Sequence, residues 1–349
     1  MNVINVCILL TVLILVVFVI VYAISTYMTK KEYESYTIST LTFPIDIVYT
    51  WYNSTDKNVQ AERDKHAISQ GITISPIRYS DVGELKYSLR SVSEYMPWVN
   101  KIWVVIGDNQ PLPEWLQEND KLKVVRHSEI FFPMQVNPTY NSINIESVLY
   151  RIKGLSEHFI YFNDDFFIGR PIGSDLFFTS DGKPKTWFGK NVDYDITYGN
   201  MYWDTVQHTL RTLRQYYTDK GIDDLPDSNK SLQHYSKSLT KSICERIETV
   251  LPNELSKLRR DMFRNSTSIE ATTAILNIAY REGECISTPV PISRYFVNVN
   301  SLKGNYSQII AHLKQHPLLF CLNNIETTEA EYIVPILEQY FPIKCMYEK

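Results

Sequence analysis

The sequence of 349 residues has little of what marks a non-globular chain. Glycine (12) and proline (16) are ordinary in number, and there is no internal repeat or low-complexity tract. An excess of one charge is also lacking, because 35 basic residues face 39 acidic ones and the formal net charge is −4. These absences exclude a collagenous or disordered chain and leave no electrostatic basis for binding nucleic acid. A hydrophobic content of 44% supports one large globular domain or two.

Several widespread catalytic motifs are missing as well. The chain contains no Walker A, GxGxxG, HExxH or GxSxG pattern, which removes the commonest NTPases, dehydrogenases, zinc proteases and serine hydrolases. The four cysteines of the body, Cys244, Cys285, Cys321 and Cys345, are spaced by 41, 36 and 24 residues. This spacing matches no zinc motif and leaves three disulfide pairings open.

One long hydrophobic run is present near the amino terminus. Residues 6–24 contain 19 amino acids without a charge, glycine or proline, enough to cross a hydrocarbon core of about 30 Å as a helix. We predict a single membrane anchor at 6–24, followed by a polar stalk at 25–43. A cleaved signal peptide is the alternative, but it requires a basic start that residues 1–5 lack.

The compartment of the body is less strongly indicated. Two basic residues after the run, Lys30 and Lys31, favour a cytoplasmic body. Four sequons favour a glycosylated, luminal one and lie at Asn53, Asn229, Asn265 and Asn305. We expect a single-pass membrane protein, located in the Golgi or another secretory lumen if the source is eukaryotic and at the inner membrane if it is bacterial.

From residue 44 onward, predicted strands alternate with predicted helices. Short β-branched and aromatic runs predict strands at 45–51, 101–106, 122–125, 159–162 and 318–322. Helical periodicity marks 83–95, 145–155, 204–217, 237–250, 254–263, 269–281 and 329–340. This order predicts an α/β fold with a mainly parallel sheet over 44–190 and helices on both faces. We expect a helical subdomain at 204–290 over the carboxyl edge of the sheet, and a closing segment at 291–349.

The segment FIYFNDDFFIGRP, residues 159–171, places two acids directly after a hydrophobic strand. Ligands bind beyond the carboxyl ends of strands in open α/β sheets, and carboxylate oxygens there suit a hard divalent cation. Asp164 and Asp165 are therefore candidate ligands of Mg²⁺ or Mn²⁺. A purely structural alternative is that Asp164 caps the next turn and Asp165 pairs with Arg170.

A third acid, Asp46, lies inside the first predicted strand among Ile, Val and Trp. A buried carboxylate requires a partner. Either a nucleotide base or ribose supplies it, or an internal salt bridge does, for instance to Arg78 or Arg90.

The segment that enters the helix at 83–95 also offers candidates. Asp81 and Glu84 have the spacing of a capping box, which explains both without a function. Lys86 and Arg90 are four residues apart and form a basic pair that suits a phosphate or a solvated helix face.

Five blocks of the sequence resemble the conserved regions of the Stealth family, in the same order. They are DIVYTWYNSTD (46–56), RYSDVGELKYSLRSVSEYMPWVNKIWVV (78–105), PEWL (113–116), RIKGLSEHFIYFNDDFFIGRP (151–171) and FCLNN (320–324). That family includes the catalytic subunit of the Golgi N-acetylglucosamine-1-phosphotransferase and bacterial capsule hexose-1-phosphate transferases. The resemblance covers nearly the whole body.

The resemblance implies a GT-A-type nucleotide-sugar fold and a sugar-1-phosphate transfer that depends on Mg²⁺ or Mn²⁺. An acceptor hydroxyl of a glycan or polysaccharide attacks the sugar-bearing phosphorus of a nucleotide sugar, for which UDP-N-acetylglucosamine is our best guess. Catalytic roles are implied for Asp165, for His234 as the base and for Arg264 as a phosphate clamp. The residues implied in substrate binding are Asp46, Trp51, Asn53, Arg78, Asp81, Glu84, Arg90, Arg151 and Asn323.

Two positions depart from the family pattern. Members similar to the Golgi enzyme have histidine where this chain has Tyr150, and aspartate where it has Asn324. Two alternatives therefore stay open: a glycosyltransferase that moves the sugar alone, and an inactive, anchored glycan-binding module. A homo-oligomer is compatible with all three interpretations.

Overall fold

The computed structural model describes residues 10–22, 24 and 39–349. Residues 10–22 and 24 are helical, and their side chains are exposed. In this described part of the chain, which includes most of the predicted anchor at 6–24, no helix is both long and apolar enough to span a membrane. Residues 6–9 and 23 of that prediction, and 25–38 of the predicted stalk, lie outside the described residues.

A five-stranded sheet forms the centre of the body. Its strands are β1 (Ile45–Thr50), β2 (Ile102–Ile106), β3 (Leu122–Arg126), β4 (His158–Asn163) and β9 (Lys237–Thr240), in the spatial order β3-β2-β1-β4-β9. β1 to β4 are mutually parallel, with Ile47 opposite both Ile102 and Ile160, whereas β9 is antiparallel to β4. Four of the predicted strands and the mainly parallel sheet are thereby confirmed.

Three smaller sheets surround the central one. Their strands are β5 (Phe166–Ile168), β6 (Lys185–Thr186), β7 (Phe188–Asn191), β8 (Lys230–Leu232), β10 (Ile286–Ser287), β11 (Arg294–Asn298) and β12 (Leu319–Asn323). The spatial orders are β11-β12-β5, β10-β6 and β7-β8. β12 confirms the predicted strand at 318–322, and its antiparallel pairing with β5 brings the closing segment beside the end of β4.

Ten helices complete the body between residues 39 and 349. They are α1 (Lys57–Ser69), α2 (Glu84–Tyr95), α3 (His127–Ile130), α4 (Ser142–Glu146), α5 (Met201–Thr218), α6 (Lys241–Val250), α7 (Pro252–Leu258), α8 (Ala271–Arg281), α9 (Ser307–Leu313) and α10 (Ala330–Tyr340). Short 3₁₀ turns lie at Pro76–Tyr79, Leu149–Arg151, Ser174–Leu176, Val299–Leu302 and Thr327–Glu329.

Successive side chains of a strand point to opposite faces of the sheet. In the central sheet both faces are buried, because each is covered by a hydrophobic cluster that includes helices. Val48 and Tyr161 pack on one face in a cluster that includes Ile247 of α6 and Ile275 of α8. Tyr49 packs on the other face in a cluster that includes Leu85 and Leu89 of α2. The prediction of helices on both faces is confirmed.

Three predicted helices are wrong in part. The one predicted at 254–263 ends at Leu258, and residues 259–263 are not helical. The chain at 145–155 is not one helix, since α4 ends at Glu146 and Ile152 is extended after a short 3₁₀ turn. At 237–250 the first four residues form β9, and the helix begins only at Lys241. The hydroxyl of Thr240 accepts a hydrogen bond from the Ile243 backbone and so fixes the helix start there. The residues before this cap are free to pair with β4.

Candidate functional site

The carboxyl ends of the parallel strands open onto a cavity of about 380 Å³. Residues that follow three neighbouring strands line it, among them Trp51 after β1, Asp108 after β2 and Asp164 after β4. Its remaining wall is aromatic and includes Tyr52, whose ring lies 5.5 Å from that of Tyr79. The cavity therefore has the polar floor and aromatic side that suit a nucleotide.

A second, larger cavity of about 1230 Å³ adjoins the first. Both cavities share the side chains that separate them, which are Arg78, Ser80, Asn163, Asp164 and Arg264. The larger cavity adds Glu84, Asp165, His234, Asn323 and Asn324 to its lining. The two cavities thus bring together eight of the residues selected from the sequence: Trp51, Arg78, Glu84, Asp164, Asp165, His234, Arg264 and Asn323.

The acids at this edge repel one another in a region of low solvent access. Burial, and then the charges of Asp165 and Asp81, raise the pKa of Asp164 well above its usual value. Burial followed by the charge of Asp164 does the same for the pKa of Glu84. Burial raises the pKa of Asp165 to about 6. Such a group of carboxylates requires a counter-charge to be fully ionised near neutral pH.

Asp164 and Asp165 have the donor chemistry for a hard divalent cation. Oδ1 of Asp165 is buried and has no hydrogen-bond partner among the described residues. A buried carboxylate oxygen without a partner is unfavourable, and an oxygen-binding cation would satisfy it. The residues present therefore fit Mg²⁺ or Mn²⁺.

His234 lies on the turn between β8 and β9 rather than in a helix. Because β9 pairs with β4, with Lys237 opposite Tyr161, this turn is held beside the acids that follow β4. Ligand atoms of His234 and Asp165 lie within 4.8 Å of each other. Burial, and then the positive charges of Lys237 and Arg264, lower the pKa of His234 to about 3, so its imidazole is neutral at pH 7.

Two guanidinium groups lie between the cavities. Arg264 comes from the segment between α7 and α8, and its Nη2 donates to Ser142 Oγ at 2.6 Å. Burial, and then the like charge of Arg264, lower the pKa of Arg78. Two cations held together without a bridging carboxylate form a favourable site for a phosphate or diphosphate.

Sequence reasoning missed an arrangement that orients Arg264. Burial, and then the charge of Glu146, raise the pKa of the Tyr161 hydroxyl, so these two side chains lie near each other, and Ser142 also lies near Glu146. The Tyr161 hydroxyl oxygen and Thr50 Oγ1 are hydrogen-bonded at 3.0 Å. Thr50 ends β1 at the ligand-binding edge and could have been selected on that ground, whereas Ser142 and Glu146 carry no local signal.

Asp46 and Arg90, two of the predicted substrate-binding residues, are buried and line neither cavity. Asp46 lies at the amino end of β1 and accepts hydrogen bonds from Trp103 Nε1, Asn100 Nδ2 and the backbone of Ser156, at 2.8–2.9 Å. Neither Arg78 nor Arg90 is its partner. Arg90 instead donates to both carboxylate oxygens of Glu348, at 2.7 and 2.8 Å.

Asn53 and Arg151, also predicted as substrate-binding residues, are absent from the lining of the two cavities. The buried Asn53 accepts hydrogen bonds from Thr55 and donates to the Pro111 carbonyl, which stabilises a turn. Arg151 stacks on Phe132, its guanidinium carbon 3.7 Å from the ring centre.

Asp81 and Trp51 support the site together. Trp51 Nε1 donates to Asp81 Oδ2 at 2.9 Å, and Trp51 lines the smaller cavity. The predicted capping box is wrong, because α2 begins at Glu84 after Gly83, whose φ of 93° suits glycine. Glu84 accepts from the backbone of Val82.

The two positions that depart from the family pattern differ in location. The Tyr150 hydroxyl donates to Glu248 at 2.9 Å, and Tyr150 lines neither cavity. Asn324 lines the larger cavity and donates to Asn298 Oδ1 at 3.0 Å. Only the second departure can affect the site directly.

Comparisons with known proteins show the family to which the chain belongs. The family described as "Stealth protein CR2, conserved region 2" matches residues 78–186. The "Capsular polysaccharide phosphotransferase" of Neisseria meningitidis serogroup B is 30% identical over 324 residues, which cover 86% of this chain and 84% of that protein. The "Exopolysaccharide phosphotransferase CpsY" of Mycobacterium tuberculosis is 31% identical over 329 residues, or 89% of this chain, but the match spans only 59% of that protein.

Among solved structures, the glycosyltransferase GlyE of Streptococcus pneumoniae TIGR4 matches 86% of this chain and 61% of that chain. Its TM-score is 0.41 and its sequence identity is 8%.

Proposed function

Because this chain belongs to the Stealth family, we propose that it is a sugar-1-phosphate transferase acting on a polysaccharide or glycan. The donor in this proposal is a nucleotide sugar, with UDP-N-acetylglucosamine as the first candidate. The acceptor is a sugar hydroxyl, and the products are a phosphodiester and a nucleoside monophosphate. The two relatives named above are called polysaccharide phosphotransferases, which supports this class of reaction.

The observation that carries the proposal is the row of charged groups between the two cavities. Asp164 faces both cavities, as do the guanidinium groups of Arg78 and Arg264. A nucleotide in the smaller, aromatic cavity would place its diphosphate at this row. The sugar and the acceptor would then occupy the larger cavity, where His234 and Asp165 lie.

The proposed reaction uses each group for one task. Arg78 and Arg264 bind and orient the phosphoryl oxygens, whose charge they offset as the transferring phosphorus is attacked. His234 is neutral and accepts the proton of the attacking hydroxyl; an anionic diphosphate nearby would raise its low pKa towards the working range. Ser142 holds Arg264 through the hydrogen bond to Nη2.

Asp164 and Asp165 would hold Mg²⁺ or Mn²⁺ in this proposal, with Glu84 close behind them. Such a cation neutralises a diphosphate and stabilises the nucleotide that leaves.

The decisive experiment identifies the nucleotide product. The full chain is incubated with UDP-N-acetylglucosamine, Mg²⁺ or Mn²⁺ and a panel of polysaccharide fragments, and the nucleotides are separated by chromatography. We expect UMP together with a phosphodiester-linked product. UDP would instead indicate a glycosyltransferase. Saturable glycan binding without turnover of any of several nucleotide sugars would indicate an inactive binding module.

The membrane anchor, the compartment and a homo-oligomeric state remain parts of the proposal. The uncharged run at 6–24 supports an anchor that would hold the enzyme beside a membrane-bound acceptor. Fractionation of cells expressing the full chain, compared with a chain that begins at residue 39, tests whether residues 1–38 carry membrane association.

A further inference from the structure

Three side chains with different donor atoms converge at one wall of the larger cavity. Asp165 follows β4, His234 lies between β8 and β9, and Cys321 belongs to β12. Their ligand atoms all lie within 4.8 Å of one another. Cys321 is opposite Phe166, the residue after Asp165, and its Sγ is 3.4 Å from Asp165 Oδ2. Pairing of β12 with β5 and of β9 with β4 therefore creates the cluster.

We propose that Asp165, His234 and Cys321 form a binding site for a borderline transition-metal ion, with Zn²⁺ as the expected occupant. Sulfur, imidazole nitrogen and carboxylate oxygen are the donors that Zn²⁺ and Co²⁺ prefer, whereas Mg²⁺ takes oxygen. Three protein ligands leave a fourth position for water from the cavity.

The state of each side chain suits this role. A ligating imidazole must be neutral, and His234 is neutral over the whole physiological range. Asp165 has a buried oxygen that lacks a hydrogen-bond partner among the described residues. Burial, and then Asp165, raise the pKa of the Cys321 thiol well above its usual value, so the thiol starts protonated. Its proton passes to solvent as the sulfur–metal bond forms.

Charge opposes the metal in one respect. Lys237 acts on all three groups, favouring ionised Asp165 and Cys321 and disfavouring protonated His234. Its positive charge repels a cation, but two anionic ligands offset it once Cys321 is deprotonated. Cys244 and Cys345, also buried and free, are not part of this three-residue group, so the site is specific to one cysteine.

Occupancy would have a consequence for catalysis, and this part rests on the proposed function. Zn²⁺ would engage Asp165 and His234, the proposed Mg²⁺ ligand and the proposed base, so it would inhibit transfer in the presence of Mg²⁺. The site would then make the enzyme sensitive to free zinc through residues that the reaction itself uses.

Cobalt titration of the full chain tests the site without any assay of activity. Co²⁺ absorbs visible light, unlike Zn²⁺, and it replaces Zn²⁺ in sites of this type. A thiolate ligand to Co²⁺ gives an intense charge-transfer band in the near ultraviolet. We expect one equivalent of Co²⁺ to produce that band and Zn²⁺ to remove it. Cys321→Ser should lose the band, whereas Cys244→Ser, which changes another buried free cysteine, should keep it.

His234→Ala provides a second variant in case Cys321→Ser does not fold. Outer-shell partners alone are worth about 10–100-fold in metal affinity, so loss of a ligand should weaken Co²⁺ binding by at least about tenfold. Absence of the band in the wild-type chain, or a band unchanged in both variants, would overturn the proposal. UMP formation with no cobalt band would reject the zinc site alone, and a cobalt band with no transfer would reject only the proposed reaction.

Discussion

Two buried acids of the same parallel sheet show how differently one residue type is used at its two edges. Asp46, at the amino end of β1, accepts hydrogen bonds from Asn100, Lys101, Trp103 and Ser156. Among residues 10–22, 24 and 39–349, Asp165, after the carboxyl end of β4, accepts a weak hydrogen bond from Cys321 and has one carboxylate oxygen without a partner. Fully bonded burial stabilises a fold, whereas incomplete bonding beside a cavity is typical of a ligand site.

The arginines repeat this contrast. Arg90 is buried and paired with Glu348 and Glu338, so its charge is compensated inside the protein. Arg264 has Ser142 as a neutral hydrogen-bond partner and faces both cavities. A cation whose only hydrogen-bond partner is neutral is available for an anionic ligand. The following experiments test whether this difference between the edges is a difference in function.

The largest effect is expected for Asp165→Asn, which keeps the shape of the side chain and removes its charge. Transfer should fall by about 10³-fold or more, because the carboxylate that would hold the divalent cation is lost. Product formation at saturating donor, with and without Mg²⁺, measures this loss. Near-normal turnover, or full wild-type turnover in excess chelator, would show that Asp165 holds no essential metal.

His234→Ala should lower turnover by about 10²–10⁴-fold, the usual contribution of a general base. The donor KM should change little, because the imidazole acts on the acceptor hydroxyl. Steady-state kinetics with varied donor separate the two effects. His208→Ala is the control, since His208 contacts Glu254 and lies outside both cavities. Equal rates for the two variants would remove His234 from the reaction.

Arg264→Lys should reduce turnover by about 10²-fold, because a lysine cannot reproduce a planar contact with two phosphoryl oxygens. Arg260→Lys makes the same change four residues earlier, where the guanidinium donates to Ser256 on the surface. Rates measured for both variants under the same conditions isolate the position. If both were equally active, Arg264 would be a structural residue only.

Asp46→Asn should lower the free energy of unfolding by about 3 kcal/mol, because one acceptor oxygen becomes a donor that faces other donors. Denaturant titration measures this change. Turnover at 25 °C should stay within about twofold of wild type, since Asp46 lies at the edge remote from the cavities. A large rise in donor KM with unchanged stability would show that Asp46 contributes to substrate binding.

The smallest effect is a change in acid stability caused by His127. Burial lowers the pKa of His127 to about 4, below an unfolded value of about 6.5. The unfolded chain therefore binds the proton first, and stability is lost as the pH falls from about 6.5 to about 4. In the wild-type chain the free energy of unfolding should fall between pH 7 and pH 4.5, and in His127→Phe this fall should be smaller by on the order of 2 kcal/mol. Denaturant titrations at the two pH values measure it. An unchanged loss would assign acid sensitivity to other groups.

Much of the architecture follows from local patterns. The strands β1 to β4 and β12 were predictable because each is a short, mostly apolar run between turns. The acids after β4 were predictable as a ligand site because they interrupt such a run at the edge where ligands bind. In contrast, β9 was predicted as helix, since the periodicity of α6 extends through Lys237 and only the cap at Thr240 separates the two.

What the sequence alone determined is therefore local: the parallel strands, the position of Asp164 and Asp165 at a strand end, and the long uncharged run at 6–24. The tertiary structure decided which buried polar groups have partners. Arg90 is bonded to Glu348, which is 258 residues away, and Cys321 meets Asp165 across 156 residues. No spacing rule predicts such pairs, because they depend on sheet register and helix packing. A buried charge becomes structural or functional only when those distant partners are known.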